Sequence, residues 1–218
     1  MEQPPAEALP HWLRPAYLGL AAFAEVLATD GVEQGLIGPR EVPRIWSRHL
    51  LNCAVVADPA ENLLPAGAEV ADVGSGAGLP GLVWALARPD LKLILIEPLL
   101  RRANFLTAVV DKLELGATVT VTRVRAEDLA KQGDWAGVDV VTARAVAPLV
   151  KLLGWTVPLL RQGGTIVALK GSSVATEVTE AIPVAAALGI KDLRIWVCGQ
   201  GVVEPLTTVV LATRGTAQ

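Results

Sequence analysis

Glycines and acids follow two apolar segments of the chain at a spacing that suits cofactor binding. Gly74, Gly76 and Gly78 form a loop after the first apolar segment, Asp72 lies two residues before the loop, and Glu97 follows the second segment. Backbone N–H groups of a loop that opens a helix point at a bound ligand. A carboxylate at Glu97 can accept hydrogen bonds from both hydroxyls of a ribose. These residues indicate a nucleoside-cofactor site.

Two cofactors compete for this glycine loop. Gly76, Gly78 and Gly81 match the G-x-G-x-x-G spacing of NAD-binding proteins. Asp72 would repel a pyrophosphate, but it could accept a water-mediated hydrogen bond from the amino group of a methionine moiety. The turn begins at Gly74, which gives a G-x-G-x-G loop suited to a compact zwitterion. We favour S-adenosylmethionine, with NAD and a ligand-free tight turn as the alternatives.

A third candidate segment, residues 125–128, comes directly after the third predicted strand. Ligands of doubly wound sheets bind at this carboxyl edge, so Ala126 or Glu127 could contact an adenine amino group. The side chain of Glu127 or Asp128 could instead cap the following helix. The sequence leaves both interpretations open.

Alternating strand and helix patterns predict the elements that position these residues. With 218 residues, of which 52% are apolar, we expect one α/β domain over residues 63–218 behind a helical N-terminal segment, residues 1–62. The sheet is predicted to be doubly wound and mostly parallel, with a C-terminal antiparallel hairpin. The predicted strands are 69–73, 91–96, 118–124, 138–142, 165–169, 193–197 and 207–213. The predicted helices are 17–28, one that starts after Pro43, one that begins near Leu79, 99–115 and 148–160.

Composition and charge exclude several classes of protein. The net charge of −3 argues against a protein that coats nucleic acid, although a local basic patch could dock a folded RNA. Cys53 and Cys198 lack metal-ligand spacing, so we expect no metal and reduced, buried thiols. No apolar run reaches the length of a membrane span, and the N-terminus is not typical of a secretory signal. We therefore expect a cytoplasmic monomer with no membrane partner.

Five segments of the chain carry a family resemblance: 48–52, 72–81, 97–106, 138–148 and 168–171. Together they resemble the RsmG (formerly GidB) family in order and spacing, and residues 35–41 resemble its actinobacterial branch. The resemblance implies a class I methyltransferase (Rossmann-like) fold and S-adenosylmethionine-dependent methylation of N7 of one guanine in bacterial 16S ribosomal RNA. It also implies the 16S RNA or the small ribosomal subunit as partner.

The same resemblance implies which residues bind the cofactor. Asp72 and Glu97 occupy positions that bind the cofactor throughout class I methyltransferases. The further cofactor contacts that the resemblance implies are Gly74, Leu79, Ala126, Glu127 and Arg144. The chain departs from the family at Asn52, where an aspartate is usual, and it lacks the Asn-Leu-Thr segment common upstream. Both departures fall in the N-terminal segment and concern how its helices would bind RNA.

Methylation at N7 makes modest demands on the protein. Guanine N7 is an exposed lone pair, so no base is needed to remove a proton, and catalysis can rest on alignment. The fourth strand ends at Arg144 in place of the Asn/Asp-Pro-Pro-aromatic turn of exocyclic-amine methyltransferases. Neither Cys53 nor Cys198 lies where a carbon-5 pyrimidine enzyme keeps its nucleophile.

Arg144 and Lys170 are the candidate catalytic residues, since they follow the fourth and end the fifth strand. The Arg144 guanidinium could bind the methionine carboxylate, the guanine O6 edge or a phosphate, or it could form a structural ion pair. Lys170 could contact a phosphate or be a solvated lysine at a strand end. His49 is expected to pack or to cap a helix rather than to catalyse.

Two arginine pairs are candidates for RNA binding. Arg44 and Arg48 lie four residues apart on one predicted helix, and Arg101 and Arg102 begin the helix after Glu97. Each pair could equally be a solvated helix face. The rival functions are an NAD-dependent oxidoreductase, for which the histidines and the one tyrosine are poorly placed, and a non-catalytic nucleotide-binding module.

Overall fold

Seven strands form one sheet in the computed structural model, which describes residues 3–216. The strand order is β3-β2-β1-β4-β5-β7-β6. Strands β1 to β5 pair in parallel, and β7 pairs antiparallel with both β5 and β6. The strands are β1 (Glu69–Val73), β2 (Lys92–Ile96), β3 (Val119–Thr122), β4 (Val138–Arg144), β5 (Leu160–Lys170), β6 (Ile190–Cys198) and β7 (Thr207–Arg214).

Helices cover both faces of this sheet. Successive strand residues point to opposite faces, so Val70 packs in one apolar cluster and Ala71 in the other. This two-sided burial explains why the parallel strands are continuous apolar runs in the sequence. The α-helices are α1 (Tyr17–Val26), α2 (Asn52–Ala54), α3 (Gly81–Ala87), α4 (Leu100–Lys112), α5 (Ala126–Leu129), α6 (Leu149–Thr156) and α7 (Val174–Ala187).

The predicted fold class, a doubly wound, mostly parallel sheet with a C-terminal antiparallel pair of strands, is confirmed. The hairpin differs from a simple extension of the sheet, because β7 lies between β5 and β6. Helix α7 was not predicted from the sequence. Its interior contains Pro183, and only Val174, Ala181 and Ala185 are buried, so its apolar stripe is weak.

The N-terminal segment is helical, as predicted, but its helices are not regular. Helix α1 continues as a π-helix, Leu27–Gly31. The helix predicted after Pro43 is replaced by a 3₁₀-helix that contains this proline, Pro39–Arg44, and then a π-helix, Ile45–Leu51, that leads into α2.

The segment also packs against the residues that follow it. The buried Trp84 indole donates a hydrogen bond to the Cys53 carbonyl at 2.9 Å, and the Thr207 hydroxyl donates to the Asn52 carbonyl at 3.0 Å. Phe23 of α1 lies in the same apolar cluster as the sheet residues of that face. The division of the chain after residue 62 stays a prediction.

Among the described residues, 3–216, no helix is long and apolar enough to cross a membrane. Within the same range, no group of three or more His, Cys, Asp or Glu side chains is arranged to hold a metal ion.

Candidate active site

Asp72 ends β1 beneath the glycine loop and is fully buried. Its Oδ2 accepts a hydrogen bond from the Gly81 N–H at 3.1 Å, and its carbonyl accepts one from the Ser75 hydroxyl at 2.8 Å. Its Oδ1 has no hydrogen-bond partner among the described residues. A buried acceptor without a donor is costly, so this oxygen is suited to a ligand that brings a donor.

The electrostatics of Asp72 favour a cationic ligand. Burial raises the pKa of its carboxyl to about 7, against the opposing effects of the Gly81 and Ser75 hydrogen bonds and of the Arg144 charge. An ammonium group would stabilise the ionised form and satisfy Oδ1, directly or through a water. The methionine moiety of S-adenosylmethionine carries such a group, so this residue fits that cofactor.

Glu97 follows β2 and is held by main-chain donors. Its Oε2 accepts from the Gly76 N–H at 3.1 Å, and its Oε1 accepts from the Leu99 N–H at 3.0 Å. Each carboxylate oxygen has capacity for a further hydrogen bond, so both remain able to accept from ribose hydroxyls. The backbone thus fixes the carboxylate that the sequence assigned to the ribose.

The glycine loop depends on two close approaches. Gly74 has a φ of +69°, and a Cβ there would lie 2.9 Å from Cγ2 of Val146 in the loop after β4. A Cβ on Gly81 would lie 2.6 Å from Oδ2 of Asp72. Larger residues would therefore displace the loop or the acid. Gly76, Gly78 and the buried Leu79 lie on the same turn.

The third predicted cofactor segment lies at the same edge of the sheet, after β3. Ala126 is buried and Glu127 is half-buried in the first turn of α5. Arg125 is the N-cap residue of this helix, and its side chain makes no capping hydrogen bond. Oδ1 of Asp128 lies 3.7 Å from Nζ of Lys131, with which it forms an ion pair. Whether Glu127 contacts adenine stays a prediction.

Arg144, at the end of β4, contacts the N-terminal segment. Its Nη1 donates to Sγ of Cys53 at 3.1 Å, and its Nη2 lies 2.5 Å from Nδ1 of His49. His49 is only 7% exposed, and its Nε2 lies 3.1 Å from Oε2 of Glu41. The chain therefore brings Glu41, His49 and Arg144 into one hydrogen-bonded row.

The protonation state of His49 follows from its surroundings. Burial and the positive charge of Arg144 lower the pKa of the imidazole to about 4, although Glu41 acts in the opposite direction. The ring is neutral near pH 7, so Nδ1 accepts from Arg144 and the Nε2–H donates to Glu41. For the Cys53 thiol, burial has the opposite effect and raises the pKa, so the thiol stays protonated.

Lys170, at the end of β5, holds the loop after β4. Its Nζ donates to the Ala147 carbonyl at 2.8 Å and to Oε2 of Glu177 at 2.7 Å. The same Glu177 oxygen accepts from the Leu149 N–H at 2.9 Å. The Lys170 side chain is 9% exposed, so it is not a solvated lysine at a strand end.

Arg144 and Lys170 face an open cleft of about 1210 Å³. Arg44 and Arg48 lie at its N-terminal wall and pair with Oε1 of Glu41 at 2.9 and 3.4 Å. The described residues that line the cleft include neither Arg101 nor Arg102, which are exposed on α4. The structure thus gathers one of the two predicted RNA-binding pairs around the candidate catalytic residues.

Sequence reasoning did not assign a role to four residues of this site: Glu41, His49, Cys53 and Glu177. A signal existed for the first two, because they lie in segments that carried the family resemblance. Glu177 had none, since the helix that bears it was not predicted.

The sheet order and the helices on both of its faces give the chain the fold of the class I methyltransferases. The fold is similar to that of an S-adenosylmethionine-dependent O-methyltransferase from Thermotoga maritima, with TM-score 0.56 and 17% identity over 82% of this chain and 71% of that one. It is also similar to Aeropyrum pernix fibrillarin with bound S-adenosylmethionine, with TM-score 0.53 and 16% identity over 74% and 76% of the two chains.

The sequence comparisons are more specific than the fold. The family model described as rRNA small subunit methyltransferase G matches residues 17–206, and the chain belongs to this family. Its relatives named ribosomal RNA small subunit methyltransferase G include one from Salinispora arenicola, 57% identical over 87% of this chain and 78% of that protein. Another relative of the same name, from Mycolicibacterium gilvum, is 49% identical over 98% of this chain and 92% of that protein. Family membership sets aside the oxidoreductase and the non-catalytic module.

Proposed function

We propose that this chain transfers a methyl group from S-adenosylmethionine to N7 of a guanine in 16S ribosomal RNA of the small subunit. Family membership supports the RNA and the reaction class. One structural observation supports the site: Arg144 lines the cleft whose wall carries Arg44 and Arg48, and its charge also acts on Asp72 beneath the glycine loop. The cofactor would supply an electrophilic methyl group on a sulfonium.

The residues around the cleft suit a nucleophile that needs no deprotonation. His49 is buried and neutral, and both its ring nitrogens are engaged, so it is not free to accept a proton. Glu177 is paired with Lys170. Guanine N7 already carries its lone pair, so the protein has to align the reactants.

Each candidate residue has a role in this proposal. Asp72 binds the ammonium group of the cofactor and Glu97 the ribose, while Gly74, Gly76, Gly78 and Leu79 shape the loop against it. Ala126 and Glu127 contact the adenine.

The cationic residues act on the methionine end of the cofactor and on the RNA. Arg144 binds the methionine carboxylate or the guanine O6, and Lys170 keeps the loop after β4 in place and contacts RNA. The four arginines that meet RNA phosphates are Arg44, Arg48, Arg101 and Arg102.

The decisive experiment is methyl transfer from labelled S-adenosylmethionine to purified small subunits and to deproteinised 16S RNA. We expect 7-methylguanine in the digested RNA, without methylated adenine or cytosine. A short RNA with 7-deazaguanine at the target position keeps its base pairing but lacks N7, so it should not be methylated. Efficient methylation of this 7-deaza RNA would falsify the N7 mechanism.

We further propose that the protein acts as a cytoplasmic monomer. Sedimentation equilibrium should give the 22.8 kDa of one chain at micromolar concentration. A dimer mass that persists on dilution would contradict this.

A further inference from the structure

The guanidinium of Arg144 is held by side chains that lie far from it in the sequence. His49 is 95 residues away and Cys53 is 91 residues away, yet both are within hydrogen-bond distance of its terminal nitrogens. A long, flexible arginine side chain loses several rotamers when it is held in one orientation. These contacts establish that orientation before any ligand binds.

His49 is in turn held by Glu41. Because Nδ1 accepts from Arg144, the ring proton must sit on Nε2, which lies 3.1 Å from the Glu41 carboxylate. A carboxylate at this nitrogen favours that tautomer and fixes the plane of the ring. The low pKa of His49, about 4, keeps the acceptor at Nδ1 available at neutral pH.

We propose that His49 and Glu41 are positioning residues that orient the Arg144 guanidinium for methyl transfer. The proposal rests on the proposed function for its kinetic consequence, although not for its geometry. Glu41 also pairs through its other oxygen with Arg44 and Arg48 at the cleft wall. One carboxylate therefore joins the residues proposed to meet RNA to the residue beside the cofactor.

The first test compares two substitutions of the histidine. His49→Leu keeps apolar volume but removes the acceptor for Arg144, and it should slow the single-turnover rate at least tenfold. His49→Asn places an amide oxygen near the position of Nδ1 and should recover a rate within threefold of the wild type. His11→Leu, at the other histidine of the chain, which is exposed, is the matched control. Melting temperatures report whether each variant folds.

A double-mutant cycle separates positioning from a purely structural role. If His49 acts through Arg144, His49→Leu should change the rate less than twofold once Arg144→Ala is present. Glu41→Leu should show the same dependence on Arg144, whereas Glu41→Gln, which keeps an acceptor for Nε2–H, should stay close to the wild type. An equal slowing by His49→Leu in both backgrounds, or no recovery with His49→Asn, overturns the proposal.

The geometry can be tested without any methyl transfer. The chain has two histidines, so the ring nitrogen resonances are readily assigned in ¹⁵N spectra. We expect His49 in the Nε2–H tautomer, with an Nδ1 shift that moves on Arg144→Ala and an Nε2 shift that moves on Glu41→Leu. An Nδ1–H tautomer overturns the positioning row even if methylation occurs. A wild-type protein that shows the expected spectra but does not methylate RNA contradicts the proposed function instead.

Discussion

The anionic half of the candidate active site, Asp72 and Glu97, is held differently from the cationic half, Arg144 and Lys170. Main-chain N–H groups of the glycine loop and of the turn after β2 hold the two acids. His49 and Cys53, 95 and 91 residues away, hold Arg144 through their side chains, while Glu177, seven residues away, and the Ala147 carbonyl hold Lys170. The anionic half is therefore insensitive to most remote substitutions, while the cationic half can be disturbed from a distance.

The largest effect on the rate should follow from Arg144→Ala, which removes the guanidinium from the cationic half. Arg144 is proposed to align the reactants, and a misplacement of about 1 Å in such an arrangement costs about 10² in rate, or about 2.7 kcal/mol. We expect kcat/KM to fall by this amount. The pH profile of the single-turnover rate at saturating cofactor should stay nearly flat between about pH 6 and 8.5, because N7 needs no deprotonation and the ammonium group of the bound cofactor keeps Asp72 ionised.

A steep profile with slope near one in the wild type would contradict this expectation. It would indicate a general base and an amine or carbon nucleophile. Lys151→Ala, at an exposed lysine on α6, serves as the control for loss of a positive charge.

The anionic half should respond in binding rather than in rate. Asp72→Ala and Glu97→Ala each remove a charged acceptor and should weaken S-adenosylhomocysteine binding by about 1.5–3 kcal/mol. Calorimetry measures both affinities directly. Wild-type affinity in both variants would show that these acids do not hold the cofactor.

Asp72 should also limit the stability of the free protein at neutral pH. Its folded-state pKa, about 7, lies above its ordinary 3.8, so between these values the folded chain holds a proton that the unfolded chain has lost. Stability therefore falls as pH rises from about 4 to 7. Asp72→Asn avoids this loss and should melt higher than the wild type at pH 8, with little difference near pH 4.

Asp90 provides a control of opposite sign. The Arg88 guanidinium lowers the Asp90 pKa to about 2, so this ionised acid stabilises the fold above its unfolded pKa. Asp90→Asn should therefore melt lower than the wild type at neutral pH, and the difference should shrink as pH falls towards 2. A difference for Asp72→Asn that does not change with pH would contradict the burial argument.

The smallest effect should distinguish the two arginine pairs. Replacement of Arg44 and Arg48 by alanine should reduce the log–log salt slope of RNA binding by about 1.4, or 0.7 per lost phosphate contact on single strands. S-adenosylhomocysteine affinity should not change. The Arg101 and Arg102 double variant, outside the cleft lining, should reduce the slope less. Equal slopes for wild type and the first variant would make Arg44 and Arg48 a solvated face.

The two halves also differ in how far the sequence could predict them. The acids and glycines are close in sequence and follow buried parallel strands, so their types and spacing alone placed them at one sheet edge. The row from Glu41 through His49 to Arg144 joins segments 95 residues apart, and no local pattern encodes that contact. Helix α7 escaped prediction because most of it is exposed, and the partner of Lys170 was missed with it.

The strand order was only partly predictable for a similar reason. Alternation and β-branched content predict that β6 and β7 are strands and that they pair. Pairing alone does not specify which of the two strands lies next to β5, although the continuous apolar run 209–212 in β7 is typical of a strand that is buried on both faces. In the structure β7 takes the inner position, where Val209 and Val210 are fully buried.

The inner position of β7 has a consequence for synthesis on the ribosome. The strand that joins β6 to the rest of the sheet, residues 207–214, follows the other six strands in sequence and is translated after them. While the nascent chain still lacks it, β5 presents an open edge and β6 has no neighbour in the final order. The sheet can close only after this strand has been translated. A nonsense codon just before residue 207 would therefore remove a strand from the interior of the sheet rather than trim its margin.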